Sequence, residues 1–345
     1  RARKERGAKI VVIDPYRNAT ALAADTHLML KPGTDGALAC AVMHVLFEED
    51  FADRAYMERY TSDYEELEEH LKSRTPEWAS EITGLSPEEI RDFARQIGQT
   101  PRSYFRLGYG FSRSRNGAVN MHAAACIPAV TGAWQHEGGG ALHTNSQIYH
   151  WNKELIEGLD VKDSSVRVLD QSRIGDILLG DKDDLGDGPP VTALFIQNTN
   201  PMDVSPDLGK VHKGFAREDL FTVVHEQFMT ETAKMADIIL PATTFVEHDD
   251  IYQGGAQNHI TLGPKIIEPL GESRSNHDVL CALAKRLGAE HRGFNMTSLE
   301  MVDETLKASG WPDVETLREM KWQDAQVPYE EAHFLDGFGH PDGKF

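Results

Sequence analysis

Hydrophobic positions along the chain follow two periodicities. The apolar run at residues 10–13 is typical of a buried parallel strand, and further runs of this kind occur within residues 191–201 and 217–242. Residues 38–46 and 276–288 keep the spacing of amphipathic helices instead. Strands that alternate with helices of roughly ten to fifteen residues predict an α/β fold with doubly wound, mostly parallel, Rossmann-like sheets.

The middle of the chain is more helical. Residues 51–99 predict three polar amphipathic helices, and the last has Ser86 as a plausible N-cap followed by a proline at its first position. Residues 103–111 predict a strand that runs into a glycine turn. A small-residue helix is expected over residues 117–134, with an interruption at Pro128 because proline lacks the amide hydrogen.

One segment of the chain is repeated. Residues 11–25 align without a gap to residues 223–237, and six of the aligned positions are identical. Both copies place an acid, Asp14 or Glu226, at the end of the apolar run. Ligands of open parallel sheets bind beyond the carboxyl ends of the strands, where a carboxylate can accept hydrogen bonds from a ribose diol or a guanine edge. Asp14 alone could simply end a strand, but the repeat favours two similar ligands, or one ligand with two similar halves.

Net charge restricts the class of ligand. The chain has 55 acidic and 35 basic residues, a formal charge of -20, which opposes binding to nucleic acid or to anionic membranes. An anionic ligand therefore needs basic side chains or backbone N–H groups at its own binding site, in contrast to the acidic remainder of the chain. Helix N-termini expected near Asn18 and Thr230 could bind phosphate through backbone N–H groups, and Arg17 could assist in the first copy.

Cysteine usage and hydropathy narrow the class of protein. Cys40, Cys126 and Cys281 are far apart and form no CxxC pair, which excludes a disulfide framework or a thiolate cluster built from them. No apolar run approaches 18 residues and no signal peptide is visible, so no membrane insertion is expected. The basic first residues suggest the end of a helix closed by Gly7, so the N-terminus is expected to be missing; the compartment stays open, with the cytoplasm favoured over the periplasm.

Residues 11–38, 194–201 and 231–250 together resemble the molybdopterin oxidoreductases that carry a bis(molybdopterin guanine dinucleotide) cofactor. This family includes formate dehydrogenases, nitrate reductases, and dimethyl sulfoxide and biotin sulfoxide reductases. The resemblance implies two α/β domains that are related by the internal pseudo-repeat and face a common cleft. Residues 1–100 would be part of the first dinucleotide-binding domain and residues 101–345 would form the second.

The resemblance also implies cofactor contacts at individual positions. Contacts to one guanine dinucleotide are expected at Asp14, Pro15, Tyr16, Arg17, Asn18, Gly33, Thr34 and Asp35, with Asp35 at the guanine edge. Contacts to the other are expected at Tyr109, Gly110, Arg113, Asn200, His225, Glu226, His248 and Asp278. Two places depart from the common family pattern: Arg113 replaces a frequent Gln, and His225-Glu226 replaces a small polar residue followed by Asp.

Other parts of the family's chemistry are expected outside these residues. The ligand of molybdenum or tungsten, the cysteine motif of a possible 4Fe-4S cluster and a C-terminal barrel domain would lie upstream or downstream. No catalytic or metal-ligating residue is therefore assigned within the chain, which is expected to be inactive alone. The implied reaction is oxo or hydride transfer on a small molecule such as formate, nitrate or an S- or N-oxide, with a redox partner protein or subunit.

Three alternatives stay open. The first is a non-catalytic scaffold subunit of an electron-transfer complex with the same fold. The second is a metal-dependent hydrolase, which requires that His136, His143, His248 and His259 converge on one point. The third is a NAD-dependent dehydrogenase, although the glycines around Tyr109 fail the GxGxxG spacing because Arg113 stands where the third glycine is needed.

Overall fold

The computed structural model describes residues 2–255 and 257–345 and divides into two compact units. Unit 1 comprises residues up to 145 together with residues 327–345, and unit 2 comprises residues 146–326. This division does not coincide with the boundary suggested between residues 100 and 101. The assignment of dinucleotide-binding domains stays a prediction.

Unit 1 contains two small parallel sheets surrounded by helices. Its strands are β1 (Val11–Ile13), β2 (Thr26–Leu28), β3 (Tyr104–Arg106) and β4 (Gly140–Leu142). Its helices before residue 145 are α1 (Ala2–Arg6), α2 (Ala19–Ala23), α3 (Asp35–Glu48), α4 (Arg54–Tyr60), α5 (Tyr64–Leu71), α6 (Pro76–Thr83), α7 (Pro87–Gly98), α8 (Tyr109–Ser112) and α9 (Gly117–Val130). β1 pairs with β2 and β3 pairs with β4, both in parallel.

The core of unit 1 forms around α3. Leu38, Val42, Val45 and Leu46 keep helical spacing and are almost completely buried. Helices α6, α7 and α9 pack against α3. This core buries the inner faces of the helices, and it holds the first turn of α3 in a fixed position.

Two predictions about helices in unit 1 are corrected. Residues 51–99 form four helices, α4 to α7, because Thr75 caps an additional helix start by accepting a hydrogen bond from the Trp78 amide. Helix α9 continues through Pro128 to Val130, so the predicted interruption is wrong. Pro128 cannot donate to the carbonyl four residues earlier, yet only two helical residues follow it.

Unit 2 contains one parallel and one antiparallel sheet. Its strands are β5 (Ala193–Gln197), β6 (Phe221–Glu226), β7 (Ile238–Pro241), β8 (Asp250–Tyr252), β9 (His259–Gly263) and β10 (Gln323–Asp324). Its helices are α10 (Glu154–Glu157), α11 (Ile174–Leu178), α12 (Lys182–Leu185), α13 (Pro201–Val204), α14 (Leu208–Phe215), α15 (Glu231–Lys234), α16 (Asn276–Leu287), α17 (Ser298–Ala308) and α18 (Val314–Met320). Short 3₁₀ turns occupy Ser146–Tyr149, Leu159–Val161, Gln171–Arg173 and Arg292–Asn295 in unit 2, and Ala133–Gln135 in unit 1.

The parallel pairing that the sequence predicts is confirmed in unit 2. Unit 2 also contains an antiparallel sheet that the sequence did not predict. β5, β6 and β7 are adjacent in that order and all parallel. β10, β9 and β8 pair antiparallel. The fold is therefore mixed α/β with parallel sheets. No helix in the described part of the chain combines the length and apolar character needed to span a bilayer.

The last residues of the chain return to unit 1. Residues 327–345 include α19 (Tyr329–Ala332) and an aromatic group packed on Trp134. Ring centroids of Phe338 and Phe345 lie 5.4 and 5.8 Å from Trp134. The amide of Phe345 also donates to the Tyr60 carbonyl at 2.8 Å. Unit 1 is thus built from two distant stretches of sequence.

Candidate functional site

The two copies of the repeated segment have the same local structure. Val11 pairs with Thr26 and Val223 pairs with Ile238, so β1–β2 and β6–β7 have equivalent registers. The predicted helix starts are confirmed: Asn18 caps α2 and Thr230 caps α15, each accepting a hydrogen bond from the amide three residues on. Whether phosphate binds at these starts stays a prediction.

A second pair of hydrogen bonds extends this correspondence. The Asp25 carboxylate accepts from the Ile10 amide at 2.9 Å, and the Asp237 carboxylate accepts from the equivalent Thr222 amide at 2.7 Å. In both copies the backbone amide of the same aspartate donates back to that residue at 2.9 Å. Asp14 and Glu226 therefore occupy equivalent positions at the carboxyl ends of parallel strands. A relation between two whole domains, and a cleft shared by the two acids, stay predictions.

The loop after β1 is held by the Asp14 carboxylate. It accepts hydrogen bonds from the Tyr16 amide at 2.8 Å and from Asn18 Nδ2 at 3.1 Å. The His27 Nε2 on β2 lies 2.8 Å from the Asp14 carbonyl oxygen, which can only accept, so the ring donates. Arg17 is exposed and forms no ion pair among the residues that the structure describes. The loop therefore presents an unpaired cation beside a fixed acid.

The turn at Gly33, Thr34 and Asp35 follows β2 at the same edge of the sheet. Gly33 has φ +79°, which favours glycine. Asp35 is the first residue of α3, and its half-buried carboxylate accepts no side-chain hydrogen bond within the described chain. Burial raises the pKa of Asp35 above its ordinary value of 3.8. The amide of Asp35 itself opposes this shift, but no side chain in the described chain donates to the carboxylate.

Tyr109, Gly110 and Arg113 follow β3 in unit 1. The Tyr109 ring lies 4.4 Å from the His143 ring, and the Arg113 guanidinium carbon lies 5.9 Å from the Tyr109 ring centroid. His143 Nδ1 donates to the Leu107 carbonyl at 3.2 Å. His143 was missed as a neighbour of this group, although it directly follows β4 much as Tyr109 follows β3. These residues form a partly exposed aromatic and cationic surface at the carboxyl end of β3–β4.

In unit 2, Asn200 and Glu226 follow or end adjacent strands. Asn200 Oδ1 accepts hydrogen bonds from the Thr232 hydroxyl at 2.6 Å and from the Thr232 backbone amide at 3.3 Å. These bonds connect the loop after β5 to the start of α15. Glu226 is half-buried, and its carboxylate accepts from the Gln227 amide at 2.7 Å. Asn200 is therefore occupied by an internal contact. Glu226 retains most of its acceptor capacity.

His225 is an internal residue in this structure. Its side chain is 1% exposed, and its Nδ1 and Nε2 lie 3.0 Å from Gln197 Nε2 and 3.1 Å from the Arg274 carbonyl. Both ring nitrogens are thus used within unit 2. The surroundings give no support for a direct contact between His225 and a cofactor.

His248 follows β7, and Asp278 lies in the first turn of α16. His248 Nδ1 is 2.8 Å from the Thr243 hydroxyl, which follows β7. Asp278 accepts a hydrogen bond from the Ser275 hydroxyl at 2.8 Å in the first turn of α16. The neighbouring Glu247 accepts from two backbone amides and a hydroxyl, which hold its pKa below the ordinary value. This internal network fixes the turn that carries His248.

The acids that come closest to a metal-ligand arrangement lie elsewhere in unit 2. Oxygens of Asp176, Asp181 and Asp184 lie within 4.8 Å of one another. Arg173 and Lys210 form ion pairs with this group, and Lys210 first and Arg173 second lower the pKa of Asp176. Two basic side chains therefore already compensate most of the negative charge of the three acids.

Histidines do not join such a cluster. In the part of each unit that the structure describes, no group of three potential ligands contains a histidine. His143 contacts a backbone carbonyl, His248 contacts Thr243, and His259 lies edge-on to Trp322 at 4.6 Å. These separate contacts give no support to the hydrolase alternative.

Parallel strands that end in equivalent acids, with turns and helix starts at the same edges, are typical of the class of α/β proteins that bind ligands beyond the carboxyl ends of their strands. The chain belongs to the molybdopterin oxidoreductase family, whose model matches residues 1–286. It is 44% identical over 322 residues to the probable oxidoreductase YoaE of Bacillus subtilis, covering 92% of this chain and 46% of the relative. The chain spans about half the length of the curated relatives that it matches.

Two further comparisons give one likeness in sequence and one in fold. It is 29% identical to the F420-dependent formate dehydrogenase subunit alpha of Methanocaldococcus jannaschii, over 86% of this chain and 46% of that protein. Acetylene hydratase from Pelobacter acetylenicus has a similar fold, with a TM-score of 0.78 and 21% identity, over 99% of this chain and 51% of that one. This second likeness concerns the fold alone.

Proposed function

We propose that the chain is the central cofactor-binding part of a molybdenum or tungsten oxidoreductase that holds two molybdopterin guanine dinucleotides. The observation that carries the proposal is the repeated segment, because equivalent registers, caps and acids point to two similar ligand ends. The proposed reaction is oxo or hydride transfer on formate, nitrate or an S- or N-oxide. When bound, the cofactor supplies a metal that cycles between oxidation states IV and VI during this transfer.

Residues in the first copy and in the turn that follows it fit the nucleoside end of such a cofactor. The Asp35 carboxylate has free acceptor capacity, which suits the N1–H and 2-amino donors of guanine. Arg17 provides an unpaired positive charge for a phosphate in an otherwise acidic chain. Asp14 precedes both in the sequence and holds the loop after β1 in shape. Together they can bind the base and offset phosphate charge.

The second dinucleotide has less complete support. Glu226 has free acceptor capacity at the position equivalent to Asp14. Tyr109 and Arg113 offer an aromatic face and a cation for a base or a phosphate. His225 is left out of the proposed contact set because both of its ring nitrogens bind internal partners.

The experiment is titration of the full chain with guanosine diphosphate by isothermal calorimetry. Two binding events per chain are expected. Asp14→Asn and Glu226→Gln should each weaken one event by about tenfold or more, since a hydrogen bond to a charged group contributes about 1.5–3 kcal/mol. Asp187→Asn is a matched control, because Asp187 is exposed and distant in sequence from both copies.

A single event, or loss of the same event in both variants, contradicts the two-site proposal. The scaffold alternative is tested on the purified full-length protein. Two guanosine monophosphates released per chain together with one molybdenum or tungsten supports the enzyme. Nucleotide without metal, and no reduction of nitrate, sulfoxides or N-oxides by a reduced viologen dye and no formate oxidation, supports the scaffold.

A further inference from the structure

Helix α3 begins without the cap that its sequence offers. Thr34 is an N-cap residue of a favoured type, yet its hydroxyl makes no bond to the helix. It donates instead to the Lys31 carbonyl at 2.7 Å. The first turn of α3, which carries Asp35, therefore lacks its local side-chain partner.

Asn120 of α9 supplies this partner from a distant part of unit 1. Its Oδ1 accepts from the Gly36 amide at 3.1 Å, and its Nδ2 donates to the Gly33 carbonyl at 3.4 Å. The orientation of the amide follows from its partners, because an N–H group needs an oxygen and a carbonyl needs a donor. Asn120 is 4% exposed. The two bonds bracket Thr34 and Asp35.

Gly36 permits this close approach. A Cβ atom at residue 36 would lie 2.7 Å from Asn120 Oδ1, which is closer than real contacts allow. A glycine inside a helix is unfavourable by roughly 0.5–1 kcal/mol relative to alanine. Glycine at this position therefore serves the contact with Asn120.

We propose that Asn120 is a positioning residue that holds the Gly33–Asp35 turn so that the Asp35 carboxylate meets the guanine edge of the cofactor. This inference rests on the proposed function. Asp35 has no side-chain hydrogen-bond partner in the described chain, so its direction depends on the backbone from which it projects. Asn120 sets that backbone by its bonds on either side.

The test compares guanosine diphosphate with inosine diphosphate, which lacks the 2-amino group. The full chain should bind guanosine diphosphate about tenfold more tightly, because one donor to the carboxylate is lost in inosine. Asn120→Ala should reduce this ratio to about twofold or less, because guanosine diphosphate then loses two hydrogen bonds to Asp35 whereas inosine diphosphate loses only the N1–H bond. A purely structural cap would not change the preference between the two bases.

Two further variants complete the design. Gly36→Ala should lower the ratio as well, since the added methyl displaces the Asn120 amide, and it decides the matter if Asn120→Ala does not fold. Asn116→Ala is the matched control one turn earlier on α9, because Asn116 is exposed and its side chain caps nothing. It should keep the wild-type ratio.

The outcomes separate the two ideas. If the wild-type chain does not prefer guanosine diphosphate, or if Asp35→Asn leaves the ratio unchanged, the guanine contact itself is wrong and the inference about Asn120 is overturned with it. If Asp35→Asn lowers the ratio while the folded Asn120→Ala and Gly36→Ala variants keep it, Asn120 is only a helix cap. Loss of the ratio in all three variants supports the inference.

Discussion

Asp35, the proposed guanine ligand, lowers the stability of the folded chain at neutral pH. Burial raises its pKa, so the folded chain holds a proton on this carboxyl more strongly than the unfolded chain does. The corresponding stability is present below the ordinary pKa of 3.8 and is lost as the pH rises through the folded pKa. At neutral pH the ionised carboxylate therefore lowers the free energy of unfolding, and a ligand that donates hydrogen bonds to it would offset this loss.

Asp35→Asn is expected to raise the melting temperature of unit 1 at pH 7 by about 1–3 °C, because a neutral amide replaces a partly buried charge. The gain should shrink below about pH 4, where the wild-type side chain is protonated. Scanning calorimetry at both pH values measures the effect. A gain that is equal at pH 3.5 and pH 7 would show that charge is not its cause.

Asp237 makes a matching contribution in the second copy of the repeat. Its carboxylate accepts a hydrogen bond from the amide of Thr222, which is 1% exposed. Asp237→Ala should lower the free energy of unfolding of unit 2 by about 1–2 kcal/mol, because a buried N–H loses its acceptor. Urea unfolding followed by the unit 2 tryptophans measures it. Asp187→Ala, an exposed control, should change it by less than about 0.5 kcal/mol.

Among the helices and strands, contacts between residues close in sequence could be predicted, whereas contacts between residues far apart in sequence could not. Asn18 and Thr230 could be predicted as helix starts because a cap acts on amides three residues away. Asn120 could not, since its partners lie 84 and 87 residues away in the sequence. Strands β8, β9 and β10 were missed because none of them contains a continuous apolar run like that of residues 10–13.

Helix α7 offers a direct test of a capping prediction that the structure confirms. Ser86 and Glu89 form a capping box. Ser86→Ala should lower the free energy of unfolding of unit 1 by about 1 kcal/mol, whereas Ser86→Gly should cost only about 0.3 kcal/mol. Equal losses in the two variants, measured by urea unfolding, would argue that the side-chain cap is unimportant here.

Across the whole molecule, the sequence did not predict the path of the chain between the two units. Residues 327–345 belong to unit 1 although all of unit 2 precedes them. Phe334, Phe338 and Phe345 pack around Trp134, about two hundred residues earlier in the chain. No local pattern marks such a pairing, because an aromatic residue packs equally well on many apolar surfaces.

Phe338→Ala should destabilise unit 1 by about 2 kcal/mol, less than for a fully buried ring, because Phe338 is half-buried against Trp134. Unit 2 should be unaffected. Limited proteolysis read out with fragments of each unit measures the two separately. Phe245→Ala, whose side chain is 67% exposed, is the control and should leave both protease sensitivities unchanged. Equal sensitisation of both units would contradict a role confined to unit 1.

The return of residues 327–345 also sets an order of events during synthesis. Unit 2 is a continuous stretch and can close all of its internal contacts as soon as residue 326 leaves the ribosome. Unit 1 begins to emerge first, yet its Tyr60–Phe345 hydrogen bond joins residues nearly three hundred positions apart. Such a long loop must close before the contact forms. Of the two units, unit 1 is therefore the one whose synthesis starts first and whose folding is completed last.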